Sequence, residues 1–189
     1  MTGVIITGIF LGVGLAMDAC AVSMANGMQD SKMKVRKGLL IAGMFGIFQG
    51  LMPLIGYFLG AAILAKIEWL IPWIALGILG FIGGKMVIEG IKGEECDEET
   101  GCLCFKALLI QAFATSIDAL SVGFTIADYT IIEAVVTASL VAVVTFGISM
   151  IGIKLGKLFG TKLGGKAMLL GGIVLIAIGI EIFISGIFF

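Results

Sequence analysis

Leu15-Ala-Met-Asp-Ala-Cys-Ala-Val-Ser23 and Thr115-Ser-Ile-Asp-Ala-Leu-Ser-Val-Gly123 are two short stretches with the same layout. Each places one aspartate inside a long apolar run, followed directly by Ala and, after one more residue, by a small residue and Val. A carboxylate is expensive to place in hydrocarbon, so two of them at matching positions indicate a shared task. We interpret Asp18 and Asp118 as paired ligands for a cation that crosses a membrane.

The composition excludes an ordinary soluble domain. The chain has 189 residues, of which 60% are hydrophobic and 13% charged, and its mean hydropathy is +1.20. One soluble core of this size cannot hide so much apolar surface, so we predict an integral membrane protein. The net charge of −1 argues against a nucleic-acid partner and leaves the lipid bilayer as the surrounding medium.

Hydropathy and length predict an all-α fold with six transmembrane helices, each near the roughly 20 residues that a bilayer requires. The predicted spans are 3–27, 38–62, 68–91, 104–126, 131–154 and 165–188.

The basic residues fall almost entirely on one side of this topology. Lys66 stands alone on the other side, whereas the first, third and fifth connections carry ten positive charges. These are Lys32, Lys34, Arg36, Lys37, Lys92, Lys106, Lys154, Lys157, Lys162 and Lys166. By the positive-inside rule these three connections are cytoplasmic, so both termini are predicted to be extracytoplasmic.

The two halves of the chain also resemble each other beyond the aspartates. Asp18 and Asp118 differ by 100 positions, and an offset of 96 pairs several later residues. It pairs Gly56 with Gly152, Gly60 with Gly156, Gly83 with Gly179, Lys85 with Glu181 and Gly90 with Gly186. Because three spans per half is an odd number, the second half is predicted to run inverted, as in many secondary transporters. We expect three-helix repeats at 1–95 and 104–189, joined by an acidic, Cys-containing cytoplasmic linker at 96–103.

Polar residues accompany both aspartates at helical spacing. Gln111, Thr115 and Thr125 share a face with Asp118, and Ser121 lies one turn away. Asn26 lies on the face of small side chains that includes Asp18. On the second span, Gln49 and Pro53 share a stripe, and Pro53 frees a backbone carbonyl that suits a cavity or an ion.

Oxygen donors of this kind match Mg²⁺, Ca²⁺ or Mn²⁺. The chain has no His, the usual protein ligand for Zn²⁺, Ni²⁺ or Cu²⁺. No resident cofactor is expected, so the metal would be the transported substrate.

Four stretches in order carry a family resemblance. They are Met-Asp-Ala-x-Ala-Val-Ser at 17–23, Gln-x-x-Met-Pro-Leu-Ile-Gly at 49–56, Gly-Gly-Lys-Met-Val-Ile-Glu-Gly at 83–90 and Ala-Thr-Ser-Ile-Asp-Ala-Leu-Ser-Val-Gly at 114–123. Together they resemble the bacterial manganese efflux pump family (MntP), which is related to LysE-type exporters, and the similarity covers essentially the whole chain. The resemblance implies a six-span transporter of the bacterial inner membrane, not an enzyme, that serves metal homeostasis by exporting Mn²⁺.

Carried over to this sequence, the resemblance implies that Asp18 and Asp118 are essential, with Lys85 and Glu89 as supporting residues. The resemblance also implies a carboxylate ligand in some relatives at the position of Gln49, and that ligand would be neutral here.

Several of these residues also have a structural interpretation. Lys85 and Glu89 are four apart and favour an ion pair or a snorkelling role, whereas Glu181 is balanced between structure and function. Gln111, Thr115 and Ser121 are expected at most to support the ligands. Cys96, Cys102 and Cys104 favour a reduced, solvated loop over a metal sensor.

Exporting a divalent cation against an inside-negative potential requires coupling, and proton antiport is our expectation, because a metal would displace a proton held between the two carboxylates. An intramembrane aspartyl protease is one alternative, although Gly-x-Gly-Asp is absent from both motifs. Export of another small solute by a LysE-like protein is the other. The sequence makes no prediction of oligomeric state.

Overall fold

The computed structural model describes residues 2–59, 71–92, 105–126, 128–163 and 166–188. All regular secondary structure in these ranges is α-helical. The helices are α1 (Thr2–Gln29), α2 (Val35–Leu59), α3 (Ile71–Lys92), α4 (Phe105–Thr115), α5 (Ile117–Thr125), α6 (Ile131–Leu163) and α7 (Lys166–Phe188). The predicted linker at 96–103 lies outside the described residues.

Four segments of the described chain are long and apolar enough to cross a membrane. They are Gly3–Gln29, Val35–Leu59, Phe105–Gly123 and Ile131–Lys162, and α7 adds a shorter apolar segment, Leu169–Glu181. Large apolar side chains such as Phe10, Phe58 and Phe81 project outward, as expected for surfaces in contact with lipid. The predicted all-helical membrane fold is confirmed at this level. α7 lies within the sixth predicted span, and α3 overlaps the third but ends one residue beyond it, at Lys92.

The fourth predicted span is not one helix. Instead of a continuous helix over 104–126, α4 ends at Thr115 and α5 begins at Ile117, with Ser116 between them. The Thr115 hydroxyl donates to the Gln111 carbonyl at 2.9 Å, and the Ser116 hydroxyl donates to the Ala112 carbonyl. At the break the Ser116 backbone N–H donates to the Phe113 carbonyl at 3.1 Å, three residues back rather than four, and the two hydroxyls occupy carbonyls of the last turn of α4.

The fifth predicted span is longer than expected. The sequence predicts 131–154, whereas α6 continues to Leu163 and carries Lys154, Lys157 and Lys162 on its last turns. The Lys157 ammonium donates to the Met33 carbonyl at 2.6 Å. A cation at a helix C-terminus is favourable, and this bond also ties α6 to the turn between α1 and α2.

Parallel pairs of helices form the frame. α1 packs along α6, because Gly12 lies against Val144 and Gly152 lies against Cys20. α2 packs along α5, where Gly56 lies against Gly123.

Antiparallel pairs complete the frame. α3 packs against α7, and α2 crosses α6 where Gly46 and Gly50 meet Ala142. The buried core between the pairs contains Phe45 of α2 and Leu79 of α3.

Two of these contacts require glycine. A Cβ atom on Gly56 would collide with the Leu120 carbonyl oxygen, and one on Gly156 would collide with the Met24 carbonyl oxygen. Small residues at such crossings let two helix backbones approach closely, which is the usual way in which membrane helices associate. The two glycines therefore hold the second aspartate segment against α2 and the first against α6.

Candidate metal-transport site

Asp18 projects from an uninterrupted helix. The alanines on either side of it in the helix turn, Ala16 and Ala19, are completely buried, whereas the Asp18 side chain is half-buried. Packing of small neighbours against other helices therefore places the carboxylate at the edge of the core with part of its surface accessible.

Asp118 lies in the first turn of α5, directly after the break at Ser116. Its Oδ1 accepts a hydrogen bond from the Ala119 backbone N–H at 2.8 Å. The side chain is exposed, yet the atoms packed around it desolvate the carboxylate. This combination is expected for a group on the wall of a cavity, because a carboxylate facing lipid directly is too costly.

Each aspartate has another carboxylate near enough to act on it electrostatically. The Asp18 carboxylate acts electrostatically on Asp118, and Glu181 of α7 acts in the same way on Asp18. The three carboxylates thus produce a negative potential that attracts cations. Among the residues that the structure describes, however, no three His, Cys, Asp or Glu side chains are grouped closely enough to hold a metal ion. The aspartates do not form a closed acidic ligand cage.

One buried hydrogen bond joins α1, which carries Asp18, to α4, the helix directly before Asp118. Asn26 Nδ2 of α1 donates to Gln111 Oε1 of α4 at 3.0 Å. The exposed fractions of these side chains are 0% and 1%. Asn26 and Gln111, selected separately from the sequence, are therefore direct partners.

Gln49 contacts the first aspartate segment. Its Nε2 donates to the Leu15 carbonyl at 2.6 Å, and the side chain is completely buried. Leu15 lies one turn before Asp18, so this bond links α2 to the turn that carries the carboxylate. In the structure, the Gln49 side-chain amide therefore acts as a hydrogen-bond donor to a main-chain carbonyl.

Six buried polar atoms in the described chain have no hydrogen-bond partner. They are Ser23 Oγ, Asn26 Oδ1, Gln49 Oε1, Thr137 Oγ1, Thr145 Oγ1 and Ser149 Oγ. Sequence reasoning missed Ser23, Thr137, Thr145 and Ser149. The 96-residue offset was the available signal for Thr145, because it aligns that residue with Gln49. Buried unpaired oxygens are costly, and they mark places where water or an ion would find ligands.

The remaining predicted residues do not converge on the aspartates in the same way. The Thr115 hydroxyl is occupied by carbonyls of its own helix, and Ser121 is half-buried on α5. Lys85 is exposed on α3 and takes part in an interaction of its own. The side chains of Glu89 and Thr125 lie outside the described part of the structure.

The sequence profile of the family described as "Putative manganese efflux pump" matches residues 32–183. The chain belongs to this family. The MntP resemblance predicted from the four motifs is therefore confirmed. The family is one of transporters rather than enzymes, as predicted, and together with the apolar helices it identifies a multi-pass membrane protein.

Relatives of the MntP family match the chain along almost its whole length. A protein of Ruminiclostridium cellulolyticum named "Putative manganese efflux pump MntP" is 42% identical over 185 residues that cover 96% of each chain. Proteins of the same name from Methanosarcina mazei and Rippkaea orientalis are each 41% identical and cover 94% of both chains. No solved structure matches the chain.

Proposed function

We propose that this protein exports Mn²⁺ from the cytoplasm through a site formed by Asp18 and Asp118. The observation that supports this most directly is that Asp18 lies near enough to act electrostatically on Asp118, although the two partly accessible carboxylates come from different halves of the chain. Its relatives carry names of manganese efflux pumps. Two aspartates also neutralise one divalent cation.

We further propose that the halves, 1–95 and 104–189, are inverted three-helix repeats. Several helix–helix contacts of the first half have a counterpart in the second half when residues are matched by the offsets of 96 and 100. Gly56 packs on Leu120 and Gly152 packs on Cys20, which are corresponding pairs. Under such a relation the two aspartates face each other across a central pseudo-two-fold axis.

Contacts elsewhere support the same relation. Where α2 crosses α6, Gly46 meets Phe146 and Gly50 meets Ala142, and the 96-residue offset exchanges these contacts. In the α3–α7 pair, Gly83 lies against Ile176 as Gly179 lies against Gly80. In each of these helix pairs, the offset turns one contact into the other. A two-fold axis between the two paired helices produces this pattern.

The site offers oxygen ligands that suit Mn²⁺. Besides the two carboxylates, the break at Ser116 places the C-terminal end of α4 next to Asp118. The Gln111, Ala112 and Phe113 carbonyls there accept bonds from Thr115 and Ser116, so we assign the Ala114 and Thr115 carbonyls to the metal. The C-terminal end of a half-helix carries partial negative charge, and broken helices use such ends to bind cations in transporters. Glu181 would draw cations toward Asp18 without binding the same ion.

We propose supporting roles for the other polar residues. Asn26 joins the two halves through its hydrogen bond to Gln111, whereas Gln49 joins α2 to α1 within the first half. Thr115 maintains the break, and Ser121 lies one turn from Asp118 on α5. Only the family resemblance of the sequence links Lys85 and Glu89 to the aspartates. We propose that these two residues support α3.

The decisive experiment compares Mn²⁺ efflux from metal-loaded cells that express wild type, Asp18→Asn or Asp118→Asn at equal protein levels. We expect the Mn²⁺ efflux rate of each variant to be about 100-fold or more below that of wild type. Removal of a direct metal ligand reduces activity by more than the 10–100-fold typical of an outer-shell partner. Glu133→Gln is the matched control, since Glu133 is an acid that caps Thr130 at the start of α6. Normal efflux by both aspartate variants would show that the carboxylates are structural.

Coupling to protons is tested separately. In inverted vesicles the cytoplasmic side, assigned from the basic connections, faces the medium, and Mn²⁺ uptake is followed as the pH gradient is collapsed at constant membrane potential. Because bound metal displaces protons from carboxylates, we expect uptake to stop with the gradient. Uptake that continues unchanged would exclude proton antiport and leave the metal site intact as a proposal.

A further inference from the structure

We infer that the Asn26–Gln111 hydrogen bond is the cytoplasmic gate of the transport pathway, and that the structure represents the state in which this gate is closed. This rests on the proposed function and on the cytoplasmic assignment of the α1–α2 connection. The Nδ2–Oε1 bond of 3.0 Å joins residues 85 positions apart in sequence and lies between the two aspartates and the cytoplasmic ends of their helices.

Burial is asymmetric along the fourth span. On the face that carries Asp118, the residues toward the cytoplasm, Gln111, Ala114 and Thr115, are almost completely buried. On the same face beyond Asp118, Ser121 and Val122 are half-buried. The accessible side of Asp118 therefore points away from the cytoplasm.

The first span has the same asymmetry. Val22, Ser23, Ala25 and Asn26, which follow Asp18 toward the cytoplasm, have exposed fractions of 0–1%. On the same face before Asp18, Gly14 is exposed. Both aspartates thus lie at the inner end of the accessible region, and the Asn26–Gln111 pair lies immediately beyond them.

The two sides of the gate are anchored differently. α1 is held to α6 at this level, because Gly27 lies against the Ile153 carbonyl and Lys157 bonds to the Met33 carbonyl. The contact between α1 and α4 is small beside the contact between α1 and α6. Movement of α4 away from α1 therefore breaks the amide bond and leaves the α1–α6 packing unchanged.

The chemistry of the pair suits a contact that opens repeatedly. Asn26 Oδ1 has no partner while the gate is closed, so the closed state already lacks one hydrogen bond that water would supply in the open state. Once separated, Asn26 Oδ1 and Gln111 Oε1 are hard, neutral oxygens that can take the place of water molecules on a divalent cation moving toward Asp18.

A reversible cross-link tests the gate. Cysteines are placed at positions 26 and 111 of the full chain after replacement of the four native cysteines by alanine, and bifunctional methanethiosulfonates of graded length are applied. We expect a short linker to reduce Mn²⁺ efflux at least about tenfold, because it removes the inward-open population, and dithiothreitol to restore it. Efflux that continues in cross-linked protein would overturn the gate, as would failure of every linker to join the two positions.

Accessibility provides a readout that does not depend on transport. Ala114→Cys places a thiol between Gln111 and Asp118 on α4, and a membrane-impermeant maleimide is applied from the cytoplasmic side. Adding Asn26→Ala or Gln111→Ala is expected to accelerate labelling about fivefold, the shift produced by loss of one buried hydrogen bond. Ser139→Ala on α6, an exposed hydroxyl, is the matched control and leaves the rate unchanged.

The two measurements separate this inference from the proposed function. If wild type exports no Mn²⁺ but labelling accelerates as expected, the gate stands and the substrate is wrong. If efflux depends on both aspartates but neither the cross-link nor the alanine variants have an effect, the gate is wrong and the metal site stands.

Discussion

The two aspartate segments have similar sequences but different structures. Leu15–Ser23 lies within the continuous helix α1, whereas Thr115–Gly123 is divided between α4 and α5 by Ser116. The positions before the aspartates differ, because Leu15 and Ala16 correspond to Thr115 and Ser116. Only the second pair carries hydroxyls that bond to carbonyls one turn earlier.

Because of this difference, the two carboxylates have different local environments. Asp18 extends from a continuous helix and is half-buried. Asp118 instead accepts a backbone N–H at the start of a short helix, beside carbonyls released at the break. We therefore expect the second segment to be the part of the site that rearranges during transport, since broken helices are common where transporters bind ions.

The largest effect is expected where glycine supports each segment. Gly56→Ala would drive a methyl group into the Leu120 carbonyl under the second segment, and Gly152→Ala would meet the Cys20 carbonyl under the first. Overpacking of this kind costs about 1–3 kcal/mol of folding free energy, with Gly56→Ala the more damaging. Thermal unfolding of the purified proteins in detergent measures the difference.

Two other glycines are the matched controls for these variants. Gly43 of α2 and Gly147 of α6 have nothing within 4 Å of a built Cβ atom. Their replacement by alanine is expected to be neutral or stabilising by up to about 1 kcal/mol, as for any open helical position. Equal destabilisation at all four sites would refute the close contacts described above.

The next effect concerns the break itself. Thr115→Val combined with Ser116→Ala removes both hydroxyls and makes the second segment resemble the first. We expect α4 and α5 to join, the Ile117 and Asp118 amides to exchange more slowly, and Mn²⁺ efflux to fall about tenfold because the released carbonyls are lost. Hydrogen exchange and efflux at equal protein levels measure the two parts.

Ser139→Ala serves as the comparison for the break, because Ser139 makes the same kind of bond to Val135 on α6. It should change neither exchange at Ile117 nor efflux. If the double variant retains both wild-type exchange and full efflux, the hydroxyls do not cause the break.

The smallest effect contrasts Gln49 with Thr145, which correspond by the 96-residue offset. Gln49 donates to the Leu15 carbonyl, whereas the Thr145 hydroxyl is buried without a partner. Gln49→Met should destabilise the protein by about 1 kcal/mol, and Thr145→Val should be neutral or slightly stabilising, because it removes an unsatisfied group. Chemical unfolding of both variants measures the sign of the change in the free energy of unfolding. Destabilisation by Thr145→Val would show that the Thr145 hydroxyl has a hydrogen-bond partner.

Much of the fold could be predicted because its signals are local. The helical class and the four long apolar spans of the described chain follow from hydropathy, and the matched aspartates are costly enough to be noticed in one sequence. The break at Ser116 has only a weak sequence signal, since a Thr-Ser pair is tolerated in many helices. The extension of α6 past residue 154 was missed because its lysines read as a connection, although Lys157 bonds to Met33 within the packed structure.

The sequence indicated which polar residues to consider for the candidate site, but not which of them contact each other. Asn26 and Gln111 were selected for polarity in an apolar span, but nothing local indicates that they bond to each other. Likewise, the proline pattern drew attention to the Gln49 carbonyl, whereas the structure uses the Gln49 amide nitrogen.

The sequence alone determined the membrane environment, the helical class, the family and the two aspartates, because the cost of polar groups in hydrocarbon acts on each residue separately. Only the tertiary structure decided which helices lie together, since this depends on the close fit of distant glycines such as Gly56 and Gly123. The same packing decided that Asp118 stays accessible while Asn26 and Gln111 are buried together. Burial and pairing of polar groups depend on neighbours from other helices, which no single segment specifies.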